Sequence, residues 1–230
     1  MEKLDFTVQA GKTLLSTSTK YVKTDTADGI NQVDITALQS AIDDAVSKDT
    51  AQKKAMESVA NFTDVQNKYM EAALGLIRKT QSAAKAAYGE DNKPKMKEFH
   101  VGGNGIRTVK AMLSELKYMK SVATECKDDL TKSGLKDSDI ANFDTISTSL
   151  SDSDMQQENS KKVQKRSTKD RDDSMTSLQK TMRRIRHIAK SVFSDQPSVL
   201  IEFEPISEGR GGRKAQQAPT SPAPSGVATK

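Results

Sequence analysis

A run of basic residues in the second half of the chain is the strongest candidate for chemistry in this sequence. Between residues 156 and 190 there are 11 lysines and arginines against four acidic residues. Spacings of three and four place the first of them on one face of a helix. The candidate residues for binding a polyanion or a partner protein are Lys161, Lys162, Lys165, Arg166, Lys169, Arg183, Arg184, Arg186 and Lys190.

This basic stripe fits two kinds of partner. A row of cations can follow the phosphates of a nucleic acid, which makes nucleic acid the alternative partner. Against that, Asp170 and its neighbours interrupt the stripe, and no aromatic side chains that could stack on bases accompany it. We favour pairing with acidic side chains such as Asp43, Asp44 and Glu57, either within the molecule or in another protein.

Residues typical of catalytic and metal sites are few. His100 and His187 lie in different predicted elements and Cys126 is the single cysteine, so too few nitrogen and sulfur ligands exist for zinc. The segment from Ala10 to Thr13 resembles the end of a phosphate-binding loop, but Phe6 stands where that motif needs its first glycine. The sequence therefore predicts no catalytic residue, no metal, no cofactor and no small-molecule substrate, and we expect no enzyme.

The composition favours helices that bury only a narrow stripe each. Hydrophobic residues make up 34 % and charged residues 29 % of the 230 residues, with a mean hydropathy of −0.67. The N-terminus lacks the basic start and apolar run of a secretory signal, and no apolar stretch approaches the roughly 18 residues of a membrane span. We expect a soluble, cytoplasmic protein, with signal-free export as the remaining alternative.

The placement of proline and glycine predicts where helices run. No proline precedes Pro94, and none lies between Pro94 and Pro197. The resulting prediction is a short helix at 4–21, a long one at 34–88 and another at 106–132, followed by a second long helix from about 137 to 193. The predicted N-caps are Asp34, Asn104, and Asp137 or Ser138, and turns are predicted at 24–29, 89–94, 102–105 and 133–134.

The C-terminal region changes character after Pro197. Residues 199–203 fit either the end of a helix or a short strand packed on the helices. From 207 to 230 the chain is basic and rich in Pro, Ala and Ser, with too few apolar residues to offset the entropy of ordering. We expect a disordered tail there.

The two long helices carry a weak internal repeat. Residues 34–88 aligned on 139–193 at an offset of 105 give nine identities in 55 positions. Several lie on a seven-residue seam whose middle is polar, so these side chains either pair across the seam or are solvated. The identical pairs are Asp34/Asp139, Ile35/Ile140, Asp49/Asp154, Gln52/Gln157, Thr63/Thr168, Met70/Met175, Arg78/Arg183, Ala84/Ala189 and Lys85/Lys190.

Together these patterns predict an all-α protein. Two related helical hairpins, 1–88 and 104–206, form an elongated, antiparallel, coiled-coil-like four-helix bundle with a disordered tail. We expect it to act as a structural or scaffolding bundle through protein partners, including copies of itself.

Two segments of the second half resemble a known kind of protein. Gly134 to Ile140 opens a long polar helix, whose basic end at 182–189 is followed by the exit from Asp195 to Leu200. This pattern resembles a family of uncharacterised bacterial all-helical proteins with two tandem long helices. The resemblance implies a helical bundle and no activity, and the chain departs from that family at 202–206 and in its tail.

Overall fold

The prediction of an all-α protein is confirmed. The computed structural model describes residues 2–22, 29–103 and 105–205, and 85 % of these residues are helical, with no strand among them. Seven helices follow one another within these ranges: α1 (Glu2–Lys20), α2 (Gln32–Tyr88), α3 (Lys93–Glu98), α4 (Val109–Glu125), α5 (Lys127–Lys132), α6 (Asp137–Val192) and α7 (Pro197–Phe203).

Both long helices begin with the same hydrogen bond between a side chain and the backbone. In α2 the Asp34 carboxylate accepts from the Asn31 N–H at 3.4 Å, while Asn31 Oδ1 accepts from the Asp34 N–H at 3.0 Å. In α6 the Asp139 carboxylate accepts from the Lys136 N–H at 2.8 Å. Each aspartate is the third residue of its helix, and it satisfies an amide just outside, as in a capping box.

Some predicted boundaries are therefore wrong. Asp34 is not an N-cap but lies within the first turn of α2, and Asp137 and Ser138 are the first residues of α6. The helix predicted at 106–132 is broken at Cys126 into α4 and α5. No glycine or proline marks this break, which is why the sequence pattern did not reveal it.

The end of the described chain is helical. Residues 199–203 belong to α7, so the strand alternative is wrong. Asn104, most of the turn predicted at 24–29 and the tail at 207–230 lie outside the described residues. Among the described helices none is both long and apolar enough to cross a membrane.

The described residues divide into two compact units. The first unit takes its residues from 1–40 and 179–230, and the second from 41–178. In the first unit α1 and α7 pack beside the start of α2 and the end of α6. Three aromatic rings meet there: Tyr21 lies 5.4 Å from Phe193 and 5.7 Å from Phe203, and the two phenylalanine rings stack at 5.9 Å.

The second unit holds the larger apolar core. Side chains from α3, α4 and α5 pack against the end of α2 and the start of α6, and Phe99, Phe143, Leu116 and Leu130 are almost completely buried. Lys79 of α2 closes one edge of this core by an ion pair to Asp139 of α6 at 2.6 Å.

Candidate functional site

The first five residues of the basic stripe lie in the second unit, and all five are exposed. Lys161 forms an ion pair with Glu158 of its own helix at 2.8 Å. The other four form no ion pair within the described part of the chain. These four cations, called the cationic face below, are Lys162, Lys165, Arg166 and Lys169.

The last four residues of the stripe lie in the first unit and have different surroundings. Arg184 pairs with the buried Asp34 at 3.0 Å, so its charge is used within the fold. Arg186 is half-buried, and its Nε donates to the backbone carbonyl of Phe203 at 3.2 Å. Burial lowers the pKa of Arg186, although an arginine remains protonated at any physiological pH. Arg183 and Lys190 are exposed.

Three of these four residues line one cavity of about 550 Å³ between α6 and α7. Its polar side is formed by Arg183, Arg186, His187 and Lys190, and its apolar side by Leu200, Phe203 and Pro205. Glu204 is the one carboxylate among the described lining residues. Three permanent cations thus face a single acid, a charge balance that favours an anion. We call this cavity the basic pocket.

The polar middle of the seam is paired across the two helices in part in the second unit, and other polar residues there bond within their own helix. As residue numbers increase along α6, the numbers of the α2 residues that they contact decrease, so the two helices run antiparallel there. The contacts are Lys79 to Asp139 at 2.6 Å, Gln66 to Asp154 at 2.8 Å, Thr63 to Gln157 at 2.9 Å and Ser58 to Ser160 at 3.5 Å.

Not every polar residue of the seam pairs in this way. Asp49 binds Lys53 of its own helix at 2.6 Å, and Arg171 binds the adjacent Asp172 at 2.7 Å. Asp49 and its counterpart Asp154 in the repeat therefore have different partners.

This middle segment has almost no dry core. Among the described residues no apolar side chain is buried in α2 between Ala55 and Ala73, nor in α6 between Leu150 and Leu178. Large apolar side chains are exposed there instead: Met155 by 58 %, Val163 by 54 %, Met56 by 46 % and Val65 by 37 %. We call residues 56–72 of α2 and 151–177 of α6 the middle segment.

No family model, curated protein or solved structure matches the chain. The basic pocket, the cationic face and the middle segment are therefore the features that bear on the function.

The remaining chemistry-bearing residues are placed apart. His100 binds Glu115 at 2.8 Å and stacks on Tyr118 at 4.5 Å in the second unit, whereas His187 lies in the first. Within the described ranges no three His, Cys, Asp or Glu side chains gather as metal ligands would. Gly11 and its neighbours lie inside α1, where the backbone is helical and forms no phosphate-binding loop.

The sequence pattern missed the apolar side of the basic pocket. Leu200, Phe203 and Pro205 come from a segment whose secondary structure was ambiguous, and only the helical turn of α7 brings them to the end of α6. The available signal was the proline at position 197, because proline is favoured in the first turn of a helix.

Proposed function

We propose that this chain is a structural or scaffolding protein that acts by association of its long helices, with a second copy of itself as the partner. The observation that carries the proposal is the middle segment, where four large apolar side chains are exposed and no large apolar side chain is buried. No catalytic role is assigned to any residue.

Burial of exposed apolar surface would stabilise the middle segment. Helices in proteins derive most of their stability from packing an apolar face, and a pair joined mainly by polar side chains gains little from it. Taking a large apolar side chain from full exposure to full burial contributes about 1.5–3 kcal/mol, and these four, 37–58 % exposed, would gain the corresponding part of it. Covering Met56, Val65, Met155 and Val163 by another molecule would therefore stabilise this segment considerably.

A second copy offers complementary charge as well. The cationic face lies on α6, while Asp44, Glu57 and Asp64 are exposed on α2. An arrangement that brings α6 of one copy onto α2 of another joins opposite charges around the apolar residues. Such charges favour the correct partner and register more than they add affinity.

The proposal is tested by measuring mass in solution with light scattering after size exclusion. At ~100 µM we expect at least twice the 25.1 kDa of one chain, falling towards one chain on dilution. The double variant Met155→Glu with Val163→Glu should remain a monomer. The matched control, Val33→Glu with Ile201→Glu, changes two apolar residues that are 73 % and 66 % exposed in the other unit, and should still associate. A monomeric wild type at this concentration would refute the proposal.

We further propose that the two halves arose as related helical hairpins, the arrangement from which the sequence predicts a four-helix bundle. Equivalent residues at the offset of 105 form equivalent ion pairs: Lys79 binds Asp139, and Arg184 binds Asp34. Gly29 and Gly134, also 105 apart, both have a positive φ, of 149° and 99°. Nine identities alone are weak support, but shared contacts at shared positions strengthen the case.

Binding of a polyanion is the second candidate function, favoured by the cationic face. Its four cations are exposed and form no ion pair among the described residues, although Lys162 lies close enough to Glu158 to act on its charge, so the face can contact phosphates. Random DNA and RNA should bind at low salt and dissociate as salt rises. Changing the four residues to Gln should abolish binding, whereas Lys93, Lys97, Lys110 and Lys117 changed to Gln remove the same charge elsewhere as a control. An equal loss of nucleic-acid binding in both variants would indicate that binding depends on net charge and not on the cationic face.

A further inference from the structure

In each half of the chain a side chain of the long helix binds the end of the short helix that follows, but the two halves use different residues. Gln81 and Arg186 are 105 positions apart, and each lies on a long helix followed by a short one. Gln81 Nε2 donates to the carbonyl of Phe99 at 3.0 Å, and Arg186 Nε donates to the carbonyl of Phe203 at 3.2 Å. Both bonds tie the end of the short helix to the long helix.

This comparison separates the structural role of Arg186 from its charge. A neutral glutamine satisfies the carbonyl in the second unit, so the fold does not require a cation there. Arg186 binds the carbonyl of Phe203 with Nε alone, which leaves the two terminal nitrogens of its guanidinium for another partner. No carboxylate among the described residues pairs with it. Its charge is thus partly desolvated and has no described counter-ion, which favours an anionic ligand at this position.

Lys190 also lacks an ion pair that its counterpart in the other half forms. Its counterpart Lys85 forms an ion pair with Glu90 at 3.0 Å. The residue equivalent to Glu90 is Asp195, and the described hydrogen bond of that carboxylate is with Ser194 at 3.4 Å. Lys190 therefore faces the basic pocket without the partner that its counterpart has.

The pocket also has the size and apolar wall of a ligand site. Its volume of about 550 Å³ lies within the range of small-molecule sites, which are mostly apolar with a few polar groups that fix orientation. Phe203 is 3 % exposed and packs against Phe193 and Tyr21, so its ring has a fixed position in this wall. Glu204 lines the same cavity and would repel an anion, but it opposes three cations.

We propose that the basic pocket binds a small organic phosphate monoester, with the phosphate held by Arg183, Arg186 and Lys190 and the organic part against Leu200, Phe203 and Pro205. Guanidinium groups bind phosphate oxygens in bidentate geometry, and a phosphate dianion neutralises more of this charge than one carboxylate does. The site is separate from the middle segment and does not depend on self-association.

The test is a calorimetric titration of the full-length protein with phenyl phosphate, inorganic phosphate and phenol. We expect phenyl phosphate to bind more tightly than inorganic phosphate, and phenol to bind far more weakly than either. Arg186→Gln installs the residue that the other half uses, so it should keep the carbonyl bond and the fold while weakening phenyl phosphate binding about tenfold or more. Arg78→Gln, which removes the arginine equivalent to Arg183 in the other unit, is the control and should bind like the wild type.

Three results would overturn the proposal. These are no binding of phenyl phosphate to the wild type, equal binding of phenol, or equal weakening by Arg78→Gln and Arg186→Gln. If circular dichroism shows that Arg186→Gln is unfolded, Arg183→Gln replaces it, because that exposed side chain forms no described contact that the fold needs. An unchanged affinity in Arg183→Gln would then refute the site. Oligomeric state measured in the same samples keeps this outcome distinct from failure of the scaffolding proposal.

Discussion

At the scale of single residues, Asp139 combines two stabilising roles. Its carboxylate accepts from Lys79 Nζ at 2.6 Å across to α2, and from the Lys136 N–H at the start of its own helix. The hydrogen bond from Lys79, followed by that from Lys136, holds the pKa of Asp139 below its ordinary value. One buried side chain thus fixes both where α6 begins and how it pairs with α2.

Replacing Asp139 with Ala should lower the free energy of unfolding by about 2 kcal/mol at neutral pH, because both hydrogen bonds are lost. Asp139→Asn should cost about half as much, since an amide oxygen can still accept from Lys136. Chemical denaturation measures both. Asp137→Ala is the control: its carboxylate is 66 % exposed in its ion pair with Lys127 and should contribute little. A control as costly as Asp139→Ala would contradict the assignment.

The lowered pKa of Asp139 makes this contribution depend on pH. A carboxylate that binds protons less readily when folded stabilises the native state above its unfolded pKa, which is about 4. That stability is lost as pH falls through the lower, folded pKa. The difference between wild type and Asp139→Ala should therefore be constant from pH 5 to 7 and shrink below about pH 4. Denaturation curves at a series of pH values check this, and a difference that grows on acidification would be inconsistent with it.

The capping residue of α2 shows how far a sequence pattern can locate the start of a helix. Asp34 is predicted as an N-cap because its side-chain oxygens can satisfy unpaired backbone amides, yet it lies three positions after Asn31, the residue that caps α2. Local sequence fixes the presence of a capping carboxylate but not whether it precedes the helix or reaches back from its first turn. Its partner across the helix pair, Arg184, is predicted as part of the basic stripe, and its ion pair with Asp34 depends on the register of the two helices.

At the scale of elements, α7 is held mainly by its final phenylalanine. Phe203 is buried against Phe193 and Tyr21, and its carbonyl accepts from Arg186. A helix of seven residues does not persist alone in water, so its position depends on these contacts.

Phe203→Ala should therefore destabilise the first unit by about 3 kcal/mol, with α7 as the first element to open. Hydrogen exchange followed by mass spectrometry should show faster exchange throughout α7. Ile201→Ala changes a residue of the same helix that is 66 % exposed and should leave exchange unchanged. Equal acceleration by both variants would mean that helix propensity, not packing, holds α7.

The polar seam between α2 and α6 allows a second test of an element. Gln157 is buried and donates to Thr63 across the seam at 2.9 Å, whereas the adjacent Gln156 is exposed. Gln157→Ala should cost about 1 kcal/mol, because the bond is lost and Thr63 loses its partner on α6. Gln156→Ala should have no measurable effect, or should stabilise slightly through helix propensity. Equal unfolding free energies for the two variants would argue that the seam is solvated.

Elements also differ in how far the sequence predicts them. The two long helices were predictable because they lack glycine and proline over most of their length and end at glycine or a polar turn. The break at Cys126 was not, because the contacts around it come from distant parts of the chain: Lys95 Nζ donates to Cys126 Sγ at 3.4 Å, and the Tyr88 hydroxyl donates to Asp129 at 3.0 Å. Contacts of this kind leave no periodic signal near the break.

At the scale of the whole molecule, core and surface are unevenly distributed along the long helices. The larger apolar core of the second unit takes in α2 from Ala73 onward and α6 as far as Leu150. The middle segment beyond these residues has hydrogen bonds across a polar seam and exposed apolar side chains. Local stability follows buried apolar contacts, so this segment should open more often than the core beside it.

Hydrogen exchange at two protein concentrations tests both this unevenness and the proposed self-association. In dilute protein, amides of the middle segment should exchange faster than those of α4, whose Leu116 and Met119 are fully buried. At high concentration the middle segment should become protected while α4 is unchanged, because a ligand that binds only the native state suppresses local opening. In the variant with Met155→Glu and Val163→Glu, the middle segment should exchange at both concentrations as fast as it does in the dilute wild type. Two results would contradict association through the middle segment: an equal rise of protection in α4, or an equal rise in the double variant. Either result would mean that the protection arises from general crowding or from another surface.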